Sequence, residues 1–206
     1  MEIYYSNSRR PMKIEKRIIH NLLFIILFLV AFLERTIWDL GPNFELITTS
    51  MILASFYLGK KEAFWLTFAI ISATDRFIGN SNIFLFTWSG FLIPALLSTK
   101  LIKMVMSKIR VKLIPLISLG LASNFFFYVW TNFGVWFLDS WGMYSKNLAG
   151  LIKCYLYALP FLKNQVISSL IFIPVGVVLI ELLLHFSKNY SLGSVSSNSQ
   201  KSPSNN

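Results

Sequence analysis

The sequence predicts an all-α integral membrane protein with six transmembrane helices and an interfacial helix between helices five and six. Three observations predict it. Of 206 residues, 55% are hydrophobic and 14% charged, against about a quarter charged in a typical soluble domain. The apolar residues come in long runs, and a helix that crosses a bilayer needs roughly 20 of them in succession. The basic residues, which give a formal net charge of +10, cluster at the ends of those runs. They therefore read as membrane topology rather than as a nucleic-acid footprint.

The first span runs from about Ile18 to Leu33, behind a basic leader (1–16) with Arg9, Arg10, Lys13 and Lys16. No small-x-small cleavage site follows it, so it reads as a retained helix and not as a signal peptide. The second runs from about Phe44 to Leu58, with Asn43 as a plausible N-cap and Glu45 favourably placed in the first turn. The third starts near Glu62 and is apolar to Thr74, reaching Ile78 only by including Asp75 and Arg76. The fourth covers about Ile83 to Ser98 and continues as a basic amphipathic stretch with Lys100, Lys103 and Lys108. The fifth, Leu113 to about Leu138, carries Pro115 in its first turn, where proline is tolerated.

Between the fifth and sixth spans, Leu148, Leu151, Ile152, Tyr155 and Leu159 recur at helical spacing, and Pro160 ends the pattern. This is the expected interfacial helix. The sixth span runs from about Val166 to Phe186, which closes a transmembrane domain of residues 17–187. The Ser/Asn-rich segment 188–206 has no apolar face to bury and is expected to be a disordered cytoplasmic tail.

Orientation follows from the loop charges. With Arg17 counted beside the leader, fourteen of the nineteen Lys/Arg lie in the leader, the second turn, the fourth-to-fifth connection and the tail. That places both termini in the cytoplasm of a multi-pass plasma-membrane protein. Trp38, Trp88, Trp130, Trp136, Trp141 and Tyr144 concentrate at the opposite, outer ends, where an aromatic belt is expected.

The sequence carries few signs of catalysis. Gly59-Lys60-Lys61 lacks the upstream glycine of a phosphate loop, and no H-E-x-x-H zinc motif is present. The single cysteine, Cys154, rules out an internal disulfide and a thiolate metal cluster. His20 and His185 fall near the cytoplasmic helix ends. Glu181 and His185, four apart, share a face and are a functional candidate because ionisable groups inside spans are costly. The structural alternative is that they bond to each other, or that Glu181 meets Lys16 or Arg17. The expectation is therefore no enzyme, no catalytic residue, no metal, no cofactor and no nucleic-acid partner. A polar set remains toward the outer side: Glu45, Thr48 and Thr49 on one face of helix two, and Asn124 with Thr131 on helix five. Asn132 and Trp136 share a further face, and Asp75 with Arg76 ends helix three. Buried polar groups in lipid must find partners, so these either bond helices together or line a cavity.

The second half carries a resemblance. Thr131, Asn132, Phe133, Val135 and Trp136, then Tyr144, then Gly150, Leu151, Cys154 and Tyr155, then Ala158, Pro160, Phe161 and Asn164 resemble a motif block of an uncharacterised bacterial membrane-protein family. Asn43-Phe44, Asp75 and Gly79 match it more loosely, and the likeness covers about Arg35 to Glu181. That family in turn resembles the substrate-binding (S) components of energy-coupling factor transporters in size, six-helix layout and topology. The likeness implies a solute-binding or uptake component whose partners are the lipid bilayer, a transmembrane subunit and a pair of ATPases. Cargo would be caught at the outer side by Asn132 and Trp136, covered by Tyr144 and oriented by Asp75 and Glu45. Trp38 and Phe44 would belong to a gating loop. The A-x-x-x-A docking face of such components is missing from helix one, where Ala31 is the only alanine. The alternative is a membrane scaffold or assembly partner that carries no cargo.

Overall fold

The computed structural model describes residues 14–38, 40–79, 82–106, 111–139 and 142–199. All elements among them are helical: α1 Ile14–Leu33, a π turn Glu34–Trp38, α2 Ile47–Tyr57, α3 Lys60–Ile78, α4 Phe84–Met106, α5 Leu113–Leu138 and α6 Leu148–Ser199. They form an up-and-down bundle. Its proximal end holds the start of α1, the α2–α3 turn and Glu181. Its distal end holds the π turn, the 40–46 loop and the close of α5.

Four helical stretches are long and apolar enough to cross a membrane: Lys16–Trp38, Phe84–Met106, Leu113–Leu138 and Leu148–Ser187. The protein is thus a helical membrane protein, but the six expected spans reduce to four by length and composition. The difference lies in α2 and α3. At 1.5 Å per residue the 11 residues of α2 cover roughly 16 Å, about half of a bilayer core. Ten of them are buried, so α2 is the hub of the bundle. α3 has the length but bears Lys60, Lys61 and Glu62 at one end and Asp75 and Arg76 at the other.

Packing follows helical period. On α1, Leu23, Leu27 and Ala31 face inward while Ile18, Leu22, Ile25 and Leu29 are exposed, as a lipid-facing stripe requires. Ile47, Met51, Ile52 and Leu53 of α2 meet Leu66, Ile70, Ile102, Leu116 and Ile173 in the core. Hydroxyls and amides tie the hub to its neighbours. Ser50 Oγ donates to Leu27 O of α1 at 3.2 Å, Ser55 shares a short bond with Ser98 of α4, and Ser168 Oγ of α6 donates to Glu45 O at 2.6 Å. In a medium without water such bonds leave the backbone and hydroxyls no better partner. Between α2 and α3 the chain reverses at Gly59, whose φ of +124° suits glycine alone.

Two local expectations from the sequence are corrected. Asn43 does not cap α2; it sits at φ +56° in the loop. Leu46 holds the N-cap position, and Glu45 just before it accepts the Thr48 N–H at 3.1 Å and the Thr48 hydroxyl at 2.7 Å. The fourth helix continues into its basic extension, as its sequence suggests, as one helix to Met106. The separate interfacial helix is absent as such: Pro160 does not stop the chain, and Leu148–Leu159 form the first turns of α6. α5 supports this stretch, because Tyr128 OH donates to Tyr155 O at 2.7 Å and Asn124 Nδ2 to Gln165 O at 2.8 Å. Helix α6 continues through the polar segment to Ser199, and 200–206 lie outside the described residues, as does most of the basic leader.

Candidate functional site: the distal cavity

A cavity of about 580 Å³ opens among the distal ends of the π turn, the 40–46 loop, α4, α5 and α6. This volume is within the range of small-molecule sites, roughly 300–1,000 Å³. Its charged wall comes from the π turn and the loop. The π turn widens the helix by a residue and puts Glu34 and Arg35 side by side on the cavity, a common use of such turns. Glu34 is 3% exposed and accepts the Leu46 N–H at 3.1 Å, which pins the loop to the turn. Asn164 Nδ2 pins the same loop to α6 through Pro42 O at 2.9 Å. Phe44 lines the cavity and packs edge-on against Phe172, with ring centroids 5.7 Å apart.

Arg35 is fixed from behind. Its Nη2 donates to Asp75 Oδ1 at 2.9 Å, and Asp75 Oδ2 accepts Trp88 Nε1 at 2.6 Å. The Nη1 atom is buried and makes no hydrogen bond. Glu45 lies nearby. Burial pushes its carboxyl up from the usual 4.5, against the Thr48 hydrogen bonds and the charge of Arg35. The opposite wall is aromatic: Phe91, Phe127, Tyr128 and Phe161 line it, with Phe91 and Phe127 only 4.3 Å apart. Thr131, Asn132 and Gln165 add polar edges.

Of the residues singled out from sequence, Asn132, Glu45 and Phe44 line this cavity. Asp75 stands one step behind it and acts through Arg35. Trp136, Tyr144 and Trp38 are not part of its wall. Trp136 Nε1 donates to Ser145 O at 3.0 Å, and the Lys146 ammonium lies 5.7 Å from its ring. Tyr144 follows the Asp139 turn, whose carboxylate accepts the Met143 N–H at 2.8 Å. Trp38, at the end of the π turn, is 54% exposed. Sequence reasoning passed over Glu34, Arg35 and Gln165. The signal for the first two was present, since a charged pair closing an apolar run is costly in a membrane.

The motif block of the second half proves to be an α5–α6 clasp. Cys154 Sγ sits 3.4 Å from Asn132 O, Tyr155 OH donates to Val129 O at 2.9 Å, and Gly150 lets the start of α6 press on the Ser145 carbonyl. The clasp holds the rim of the cavity. A family model matches residues 13–192. The chain belongs to a family of unknown function, DUF6580. The match covers every element of the DUF6580 bundle from α1 to the apolar part of α6, and so the whole cavity. No curated protein and no solved structure matches the chain.

Proposed function

We propose that this DUF6580 protein is a membrane solute-binding component for uptake that captures a small molecule in its distal cavity. The observation that carries the reading is the cavity itself: about 580 Å³, lined by charged, polar and aromatic side chains. A bundle built only for support would fill such a volume, since interiors pack to crystal density. In this reading the distal end faces outward, the termini lie in the cytosol, and the chain is not an enzyme. The likeness to energy-coupling factor S components supplies the partners: a transmembrane subunit and ATPases that move the loaded bundle. The scaffold reading draws on one observation, that Asp75 has both oxygens engaged within the bundle.

The test is to purify the protein from its own membranes, denature it, and identify released small molecules by mass spectrometry. A solute should come from the native protein and not from T131W or N132W, which fill the cavity. Equal release from all three preparations, or none from any, would overturn the reading. A C-terminal reporter found outside the cell would overturn the orientation alone.

A further inference from the structure

We propose that the distal cavity selects an uncharged, flat molecule with an amide-type edge, a carbonyl oxygen beside an N–H, which pairs with the side-chain amide of Gln165. This rests on the solute-binding reading and names the class of solute.

Gln165 decides it. The residue lies on α6, lines the cavity and is 2% exposed. Its backbone carbonyl accepts Asn124 Nδ2 at 2.8 Å, but its side-chain amide makes no hydrogen bond among the described residues. A polar group withdrawn from water without a partner is costly, and a bundle indifferent to solute has no use for one here. The fully enclosed side-chain atoms that lack a hydrogen bond are Arg35 Nη1, Thr49 Oγ1 and Asn124 Oδ1. Neither amide atom of Gln165 is among them, so the amide reaches free space, and the free space at this residue is the cavity. A glutamine side chain offers a carbonyl acceptor and an NH₂ donor side by side. A primary or ring amide presents the reverse pattern at the same spacing, so both groups of Gln165 are met at once.

The surroundings agree. Phe161 stands one turn before Gln165 on α6, and Phe127, Tyr128, Thr131 and Asn132 form one face of α5 on the same cavity. Aromatic rings stack on flat bodies. Asn132 Nδ2 donates to Tyr128 O at 2.8 Å, which leaves its Oδ1 as a further acceptor for an N–H. The ionisable groups of the cavity are engaged inside the protein. Arg35 donates to Asp75 at 2.9 Å, Glu34 accepts the Leu46 N–H at 3.1 Å, and Glu45 accepts the Thr48 N–H and hydroxyl. Burial also pushes the Glu45 carboxyl up, toward its neutral form. A charged solute would lose its hydration without gaining a free counter-ion, whereas an uncharged amide exchanges its bonds to water for bonds to Gln165.

The full-length protein in detergent would be titrated with four probes of one size: benzamide, acetophenone, benzamidinium and benzoate. Ligand-detected NMR reports saturable binding, with T131W as the occluded control. Benzamide should bind about tenfold tighter than acetophenone, which keeps the carbonyl but lacks the N–H, and tighter than either ion. Q165M, similar in shape but without the amide, should bring benzamide and acetophenone within about threefold of each other. The wild-type series stands even if the variant fails to fold. Acetophenone or either ion equal to or tighter than benzamide overturns the class, as does a benzamide preference retained in Q165M. Benzamide binding that persists in T131W, or no saturable binding of benzamide at all, also overturns it. The solute released from native preparations separates the two readings. An uncharged molecule with an amide-type edge supports both, a charged solute or one without that edge overturns the class alone, and no release overturns the solute-binding reading and the class with it.

Discussion

The two ends of the bundle use similar side chains to opposite effect. At the proximal end, Glu181 Oε1 accepts Lys112 Nζ at 2.8 Å and Tyr57 OH at 2.9 Å, tying α6 to the start of α5 and the end of α2. Beside it, His20 lies 3.8 Å from Glu62, joining the starts of α1 and α3. Here each carboxylate has a nitrogen partner on another helix, and the end is closed. At the distal end the Arg35–Asp75 pair stands beside Glu34 and Glu45, and three of these four residues, Glu34, Arg35 and Glu45, line an open volume. The contrast shows that the count of charges matters less than whether they close an end of the bundle or line a cavity. The proximal end is filled, whereas the distal end keeps polar and charged groups around a cavity.

The largest break is expected at Arg35. R35M removes the cation that faces Asp75, whose side chain is 7% exposed, and should destabilise the protein by about 3–5 kcal/mol, the range for a broken buried pair. R35M/D75N should recover a good part of that loss. Thermal unfolding in detergent measures both, and a single variant within about 1 kcal/mol of wild type would mean that the pair is solvated.

Next comes the rim. G150A drives a methyl group into the Ser145 backbone carbonyl, which cannot swing aside as a side-chain tip would. It should cost about 1–3 kcal/mol and loosen the α5–α6 clasp, seen as faster amide exchange over 142–155. Unchanged exchange there would remove the clasp from the argument.

Glu45 sharpens the comparison through pH. Its folded-state pKa is raised, so the unfolded chain gives up the proton first, near 4.5. The stability carried by the neutral carboxyl is complete below that value and is lost as pH rises through the folded pKa. The Tm of the wild type should therefore fall relative to that of E45Q as pH increases from about 4.5, and then run parallel above the folded pKa. Parallel curves throughout would show that Glu45 is solvated.

The smallest effect belongs to the proximal end. Lys112 and Glu181 side chains are 32% and 42% exposed, so K112M should cost no more than about 1 kcal/mol. A loss as large as that of R35M would erase the distinction between the ends.

Much of this was legible in sequence and some was not. The bounds of α5 follow from its long uncharged, mostly apolar run between Lys112 and Asp139. The inward face of α1 follows from Leu23, Leu27 and Ala31 at helical spacing. Glu45 and Asn132 were found because polar groups beside apolar runs need an explanation, and Phe44 came from the loop that the resemblance implies. Trp136 was misjudged: it shares a helix face with Asn132, but its indole turns to Ser145. Spacing along one helix places a residue on a face and says nothing of which neighbour arrives there. Glu181 shows the same limit, since Lys112, its partner, stood outside both sequence readings.

By itself the sequence determined the helical membrane class, because long apolar runs have no stable home in water and backbone groups in lipid must bond within helices. It also determined the charge asymmetry along the chain. Only the tertiary structure decided that α2 is a buried half-length hub, that α6 runs through Pro160, and that Glu34, Arg35 and Glu45 meet around a cavity. Those outcomes depend on contacts between residues far apart in the chain, such as Arg35 with Asp75 and Asn124 with Gln165. No local pattern encodes such contacts, because packing selects them among many faces of equal polarity.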